Sequence, residues 1–102
     1  MTQVRTNASA MKVLKVFKAL RGHTLHGLSN GELASGLRES PSTITRALHT
    51  LIAEGLVQKL ESGRYAHSIQ TLQIAQAHAN EMVTASSRIA EINARVAAGA
   101  GK

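Results

Sequence analysis

The sequence predicts a mainly α-helical domain with one small β-hairpin, followed by a long C-terminal helix. Two helix-start patterns begin at Ser29 and Ser40, and Gly63 marks a turn between two short apolar segments. After Ser68 the chain is rich in Ala and contains no Gly or Pro until Gly99. Because 102 residues with 43% hydrophobic side chains bury only one modest core, we expect a domain over residues 1–68 and a helix with a frayed end over residues 69–102.

The first predicted helix has apolar side chains on one face and cations on the others. Asn7 is a candidate cap and Gly22 a candidate stop. The apolar residues at helical spacing, which we expect to face the core, are Met11, Leu14, Phe17 and Leu20. The cations recur every three residues at Lys12, Lys15, Lys18 and Arg21. Part of this helix should therefore present positive charge to solvent or to phosphates.

The second predicted helix is short and begins with a capping box at Ser29-Asn30-Gly31-Glu32, in which the Ser hydroxyl and the Glu carboxylate satisfy early backbone donors. Its buried side should hold Leu33, Ala34 and Leu37, and Gly36 is a candidate for the left-handed residue that ends it. The preceding "TLHGL" is expected to add one short strand.

The third predicted helix is capped by Ser40, has Pro41 in its first turn and runs to about Ala53. The residues predicted to face the core are Ile44, Ala47, Leu48, Leu51 and Ile52. The opposite side gathers Ser42, Thr45, Arg46, His49 and Ala53. One face is therefore apolar, and the other is small, polar and cationic.

A hairpin should follow, because Gly55 breaks the helix, "LVQKL" favours a strand and Glu61-Ser62-Gly63 forms a turn that returns through "RYAHS". A helix, a short helix, a tight turn, a polar-faced helix and a hairpin together make a winged helix-turn-helix. The polar face of the third helix suits the major groove of DNA, and a hairpin bearing Arg64 suits phosphate or the minor groove.

The charge distribution is consistent with a polyanion as partner. The formal net charge is +6, and residues 1–64 hold nine Lys/Arg and four Glu, whereas residues 65–102 hold three and two. A local excess of cations is the electrostatic footprint of a nucleic-acid binder. The alternative is a solvated basic surface without a specific partner.

Three segments resemble the N-terminal DNA-binding domain of IclR-type bacterial transcription regulators: "LRGHTLHGLSNGELASGL", "SPSTITRALHTLIAEGLVQK" and "GRYAHSIQTLQIAQAH". The resemblance covers roughly residues 8–80. The residues that it implies face DNA are Ser42, Thr43, Thr45, Arg46 and His49, with Arg64 in the wing.

The chain departs from the family's pattern in two places. The family normally continues into a large effector-binding domain, whereas this chain stops soon after the connecting helix, so we expect no small-molecule effector from the resemblance. After Tyr65 the family usually has an apolar residue and a Gly, where this chain reads Ala66-His67-Ser68. Because of the second departure, the resemblance does not determine the geometry of the wing.

The C-terminal segment, about residues 69–98, carries the pattern of a thin coiled-coil seam with alternating spacings of three and four. The seam residues are Leu72, Ala75, Ala79, Met82, Ser86, Ile89, Asn93 and Val96. We expect self-association through this seam, which would suit a palindromic DNA site. In the alternative, Ile69, Leu72 and Ala75 pack on the winged domain and the remainder frays.

The composition argues against an enzyme, a metal site or a cofactor. The chain has no Cys and no Asp, its six Glu are scattered, and it has no phosphate-binding Gly loop with a Lys. His23 and His26 lie three apart, but no Cys or carboxylate completes a zinc site, so loop or surface histidines are the simpler interpretation. The two aromatic residues, Phe17 and Tyr65, are expected to be buried, which disfavours stacking of single-stranded nucleic acid.

We interpret the chain as a sequence-specific double-stranded DNA-binding protein, a dimeric transcriptional regulator of a cell, a phage or another mobile element. The alternative is a winged-helix protein-interaction or architectural module in a nucleoprotein complex. No apolar segment reaches the ~18 residues of a membrane span and none resembles a signal peptide, so the expected compartment is the cytoplasm.

The candidate contacts divide by chemistry. Base or groove contacts are expected from Ser42, Thr43, Thr45, Arg46 and His49, and phosphate or minor-groove contacts from Arg5, Lys12, Lys15, Lys18 and Arg64. For Arg46 the alternative is an ion pair with Glu39 or Glu54, and for His49 it is a solvated helix position.

Overall fold

A computed structural model describes residues 4–101, and its elements follow the predicted order. The helices and strands are α1 (Ala8–Ala19), α2 (Asn30–Leu37), α3 (Pro41–Ala53), β1 (Val57–Lys59), β2 (Tyr65–His67) and α4 (Ile69–Ala100). The predicted winged helix-turn-helix with a long C-terminal helix is confirmed. The chain divides into two compact units, and the boundary in the sequence falls between Thr71 and Leu72.

The core of the first unit is built around α3, which buries four side chains along one face. The buried core residues are Val16, Leu20, Leu33, Ala34, Ile44, Ala47, Leu48, Leu51 and Val57. Of the residues predicted to face the core from α3, Ile52 stays 37% exposed at the edge of the buried face. Because this face of α3 packs in the core, the opposite face of the helix lies at the surface.

The buried face of α1 differs from the predicted one. The prediction that Met11 and Leu14 face the core is wrong, since they are 43% and 56% exposed. Val16 and Leu20 are buried instead, and the partly buried residues beside them are Val13, Phe17 and Ala19. Apolar residues lie on two sides of this helix, and only one side packs on the core. Phe17 and Tyr65 are likewise only partly buried.

Capping residues set the start of each of the first three helices. The side chain of Asn7 accepts a hydrogen bond from the amide of Ala10 at 3.0 Å, and Ser40 accepts from the amide of Thr43 at 3.1 Å. Ser29 and Glu32 form the predicted capping box, with both reciprocal bonds present. These starts are confirmed because they depend only on local backbone donors and a nearby oxygen.

The predicted end of α2 at Gly36 is wrong. The helix continues through Leu37, and Arg38 adopts the left-handed conformation, with φ of 56°. The amide of Glu39 then donates to the carbonyl of Ala34 at 3.0 Å, which closes the helix end. A left-handed non-glycine residue costs about 1 kcal/mol, so the closing bonds must offset that strain.

Asn30, the first residue of α2, links α2 to α3. Its amide group donates to the hydroxyl of Thr45 at 2.9 Å and to the carbonyl of Pro41 at 3.2 Å. The Thr45 hydroxyl donates in turn to the same Pro41 carbonyl at 2.9 Å. These three bonds fix the start of α2 against the first turn of α3.

We expect Asn30→Ala to lower the free energy of unfolding by about 1 kcal/mol, because the Thr45 hydroxyl and the Pro41 carbonyl each lose a donor. Urea unfolding measures the loss. The matched control is Ser35→Ala, an exposed position on the same helix. Equal stability of the two variants would show that the Asn30 bonds do not hold α3 in place.

The hairpin forms with Val57 opposite His67 and Lys59 opposite Tyr65. Gly63 has φ of 87° and takes the predicted left-handed turn position. Ala66, at the site where the sequence departs from the family pattern, is fully buried. A small apolar residue therefore occupies the buried side of β2, where it pairs with Gln58 of β1.

The predicted "TLHGL" strand is reduced to a single bridge between Leu28 and Tyr65, with backbone bonds of 2.9 and 2.8 Å. Gly27, with φ of 67°, makes this close approach possible. A Cβ atom there would lie 2.5 Å from the Tyr65 carbonyl oxygen, so a larger residue would force the two segments apart.

The helix α4 contains 32 residues, about 48 Å of helix at 1.5 Å per residue, and buries none of them. Its exposed large apolar residues, each at least 46% accessible, are Ile69, Ile74, Met82, Val83, Ile89, Ile92 and Val96. In the part of the chain that the structure describes, no helix has the length and hydropathy needed to cross a bilayer.

Candidate nucleic-acid interface

The outer face of α3 presents Ser42, Arg46 and His49, all of them exposed. Among residues 4–101 no carboxylate lies within 4.0 Å of the Arg46 guanidinium, so the alternative pairing with Glu39 or Glu54 is not formed. Glu39 instead pairs with Lys12 at 3.6 Å. The five N–H donors of Arg46 are thus available to a ligand.

The two threonines of this segment are more constrained, because each is half-buried and already hydrogen-bonded. Thr43 accepts a bond from the Ser40 hydroxyl at 2.8 Å. The Thr45 hydroxyl donates its one hydrogen bond to the Pro41 carbonyl and accepts a bond from the side chain of Asn30. Both residues therefore support the start of α3, and their contacts with DNA stay predictions.

A cleft of about 260 Å³ between α1 and α3 brings Lys12 and Arg46 together. The cleft is lined by Ser9, Lys12, Val13, Thr43, Arg46, Ala47 and Thr50. Lys12 and Arg46 can donate charge-assisted bonds to a phosphate oxygen at this opening. Ser9 and Thr43 add hydroxyl groups, whereas the Thr50 hydroxyl already donates to the Arg46 carbonyl at 2.9 Å. The Lys12–Glu39 pair is long, at 3.6 Å, and only partly buried, with the two side chains 48% and 27% exposed; such pairs contribute little, so it is a weak competitor for an anion.

The structure does not bring Lys15 and Lys18 to this cleft. They line a separate opening between the ends of α1 and α2, together with Ala19, Arg21, His23 and Leu37. Arg5 is exposed in the segment ahead of α1. Lys12 thus lines a different opening from Lys15 and Lys18.

Comparison with known proteins identifies the domain. Residues 9–61, more than half of the chain, match the IclR helix-turn-helix domain. The chain belongs to the IclR helix-turn-helix family. It is therefore a DNA-binding domain of the kind used in transcription regulation.

Two further comparisons, with curated proteins and with solved structures, do not extend this assignment. No curated protein matches the chain. Among solved structures, a point mutant of Lactococcus lactis ZitR aligns with a TM-score of 0.46 and 16% sequence identity. The alignment covers 90% of this chain and 63% of ZitR, so the chain spans less than two thirds of the length of that protein.

In this IclR-type domain Arg64 does not extend freely from the hairpin. Its Nε donates to the carbonyl of His26 at 2.9 Å, and its Nη2 donates to the carbonyl of Gly27 at 3.1 Å. The same Nη2 lies 2.7 Å from a carboxylate oxygen of Glu32. Arg64 therefore connects the hairpin to the loop before α2, and its contact with DNA stays a prediction.

Glu32 joins the helix cap to the hairpin of the IclR-type domain. Its carboxylate accepts from the backbone amide of Ser29, at 3.0 Å, and faces Arg64. The bond from the Ser29 amide, the Ser29 hydroxyl and the charge of Arg64 together hold the pKa of Glu32 below its usual range. Because the folded pKa is depressed, the contribution of Glu32 to stability is present above the unfolded pKa and is lost as the pH falls through the folded value.

We expect the stability difference between the natural chain and Glu32→Gln to be largest near neutral pH and to shrink as the pH falls through the depressed folded pKa of Glu32. Urea unfolding at a series of pH values measures it. Glu61→Gln, an exposed turn position, is the control for the loss of one surface charge. A Glu32→Gln difference that stays constant from neutral to acid pH would contradict the linkage.

Proposed function

We propose that this domain binds double-stranded DNA in a sequence-specific manner by placing α3 in the major groove, and that it acts as a transcriptional regulator. The observation that carries the proposal is the exposed guanidinium of Arg46, which forms no ion pair among residues 4–101, on a helix whose opposite face is buried. The major groove admits an α-helix, and an Arg can donate two bonds to guanine.

Three of the exposed polar residues of α3 have different roles in this proposal. Arg46 recognises a guanine edge, whereas Ser42 and His49 lie one turn to either side and bond to neighbouring bases or phosphates. Thr43 and Thr45 position the helix start and offer their methyl groups to a thymine methyl. The bonds of Asn30 support this arrangement by restricting the orientation of α3.

Lys12 is proposed as the main phosphate contact, because it lines the cleft that also contains Arg46. We expect Lys12→Gln to flatten the slope of log affinity against log salt by roughly one unit, on specific and nonspecific duplexes alike. Lys15→Gln, on the same helix but outside the cleft, is the matched control. Equal slopes for Lys12→Gln and the natural chain would remove Lys12 from the interface.

We further propose that residues 69–102 associate two copies of the chain. Seven large apolar side chains of α4 are at least 46% exposed, and a long helix gains most of its stability from packing an apolar face. The predicted seam contains few large residues, so the free protein should associate weakly and DNA should complete the dimer. A two-fold dimer would place two copies of α3 about one DNA turn apart.

Selection of bound duplexes from a random DNA pool tests the proposal. We expect enrichment of a motif made of two inverted half-sites whose centres lie about one helical turn apart. Enrichment of a single asymmetric half-site would support sequence-specific binding of duplex DNA but would contradict binding as a two-fold dimer. Failure to enrich any motif, with equal binding to all duplexes, would contradict sequence-specific binding.

A further inference from the structure

The outer face of α1 presents two large apolar side chains that the DNA-binding proposal does not use. Met11 is 43% exposed and Leu14 is 56% exposed. They lie three residues apart on one helix, so their side chains are neighbours on its surface. Burial of adjacent apolar groups of this size against another surface is favourable, because it removes apolar area from water.

Cations surround this apolar pair. Lys15, Lys18 and Arg21 follow along the same helix and the turn after it, and all three are exposed. The ion pairs within residues 4–101 involve Lys12, Arg64 and Arg95, which leaves these three cations unpaired there. The opening that they line also contains His23 and the half-buried Leu37, and no carboxylate lines it. The charge of this face is therefore not neutralised within the domain.

We propose that the outer face of α1 is a docking surface for an acidic protein segment that carries apolar side chains. Carboxylates of the partner pair with Lys15, Lys18 and Arg21, and its apolar side chains cover Met11 and Leu14. The excess of nine Lys/Arg over four Glu in residues 1–64 steers such an acidic partner toward the domain.

Two other occupants fit this face less well. A DNA backbone would pair with the cations but would leave Met11 and Leu14 against phosphates and water, where their burial gains little. A second copy of the chain would repeat the same patch across a two-fold contact. Lys15, Lys18 and Arg21 of one copy would then face the same cations of the other, and like charges at an interface oppose association.

The proposal can be tested on the full chain with a displayed library of random peptides. The library is selected on the natural chain and counter-selected on Lys15→Glu/Lys18→Glu, whose substituted positions are exposed and should not alter folding. We expect the surviving peptides to carry several Asp or Glu together with Leu, Ile or Phe. Their affinity should fall about tenfold in Lys15→Glu/Lys18→Glu, as expected for two lost surface ion pairs.

Two control variants separate this surface from general charge attraction. Arg88→Glu/Arg95→Glu makes the same charge change on α4 and should keep the peptide affinity. Met11→Ser/Leu14→Ser keeps every charge and should lower the affinity severalfold. Circular dichroism checks that each variant has the helix content of the natural chain. Absence of any peptide that survives counter-selection, or equal binding by Met11→Ser/Leu14→Ser, would overturn the proposal.

The same variants distinguish the other occupants. If duplex DNA shifts the amide resonances of Lys15 and Lys18 as strongly as those of α3, this face binds DNA and the proposal is wrong. If Met11→Ser/Leu14→Ser abolishes self-association, the occupant is a second copy. Arg46→Ala should weaken DNA binding and leave peptide binding unchanged. The two proposals are therefore tested by different measurements, DNA binding for α3 and peptide binding for the outer face of α1.

Discussion

We expect replacement of Arg46 with alanine to weaken binding to a selected duplex by about 1 to 3 kcal/mol, roughly 5-fold to 160-fold, while the fold is retained. The side chain is exposed and forms no ion pair among residues 4–101, so its removal leaves no buried group without a partner. The lost bidentate contact to a guanine accounts for the weaker binding. Fluorescence anisotropy titrations on the selected duplex and on a scrambled duplex measure it.

The scrambled duplex identifies the kind of contact that Arg46 makes. If Arg46 recognises a base, the loss is large on the selected duplex and small on the scrambled one. Equal losses on both would assign Arg46 to a phosphate, as its place in the cleft beside Lys12 also permits. Arg88→Ala, which removes an exposed cation from α4, controls for net charge. No loss at all with Arg46→Ala would reject α3 as the reading element.

The second large effect is expected at the apolar seam of α4. Ile89→Lys places a charge at a seam position that is 59% exposed in the single chain. In a dimer this position would be buried, where an unpaired charge is costly. We expect the variant to sediment as a monomer and to bind a duplex with two half-sites about a hundredfold more weakly, because the advantage of two linked contacts is lost.

Thr84→Lys is the matched control for Ile89→Lys, since it adds the same charge on the opposite side of the helix. It should keep both the sedimentation behaviour and the affinity of the natural chain. Binding to a duplex with one half-site should be equal in all three proteins. If the natural chain is monomeric with and without DNA and binds one to one, α4 does not form a dimer seam.

The features of the fold that could be predicted from sequence depend on local chemistry. Ser29 and Ser40 cap their helices because a hydroxyl oxygen near free backbone amides is sufficient. Gly63 takes the left-handed turn position because a three-residue hairpin turn requires it. The polar face of α3 could be predicted because its apolar residues are confined to one side.

The features that sequence reasoning missed depend on contacts between distant residues. Met11 and Leu14 have the same spacing as a buried stripe, but the side of α1 that carries Val16 and Leu20 packs on the core. The sequence did not indicate that Arg64 bonds to the carbonyls of His26 and Gly27, 38 and 37 residues earlier, and its contact with DNA stays a prediction. The only local hint was Glu32, whose carboxylate serves both the cap and Arg64.

The separation of the cations into two groups could not be predicted from spacing either. Lys12, Lys15 and Lys18 recur every three residues, and each step of three turns the side chain by about 60° around the helix. Lys12 therefore lines the cleft with Arg46, whereas Lys15 and Lys18 line the opening near Leu37. Which of these openings meets DNA depends on where α3 packs, and the sequence of α1 does not contain that information.

The most direct test that α3 reads duplex DNA is an amide chemical-shift titration of the isotope-labelled chain with its selected duplex. We predict the largest changes at Ser42, Arg46 and His49, with smaller ones at Lys12. Arg46→Ala should reduce the changes along α3 at the same DNA concentration. Changes confined to α1 and α4, with α3 unaffected at saturation, would contradict the proposed mode of DNA binding.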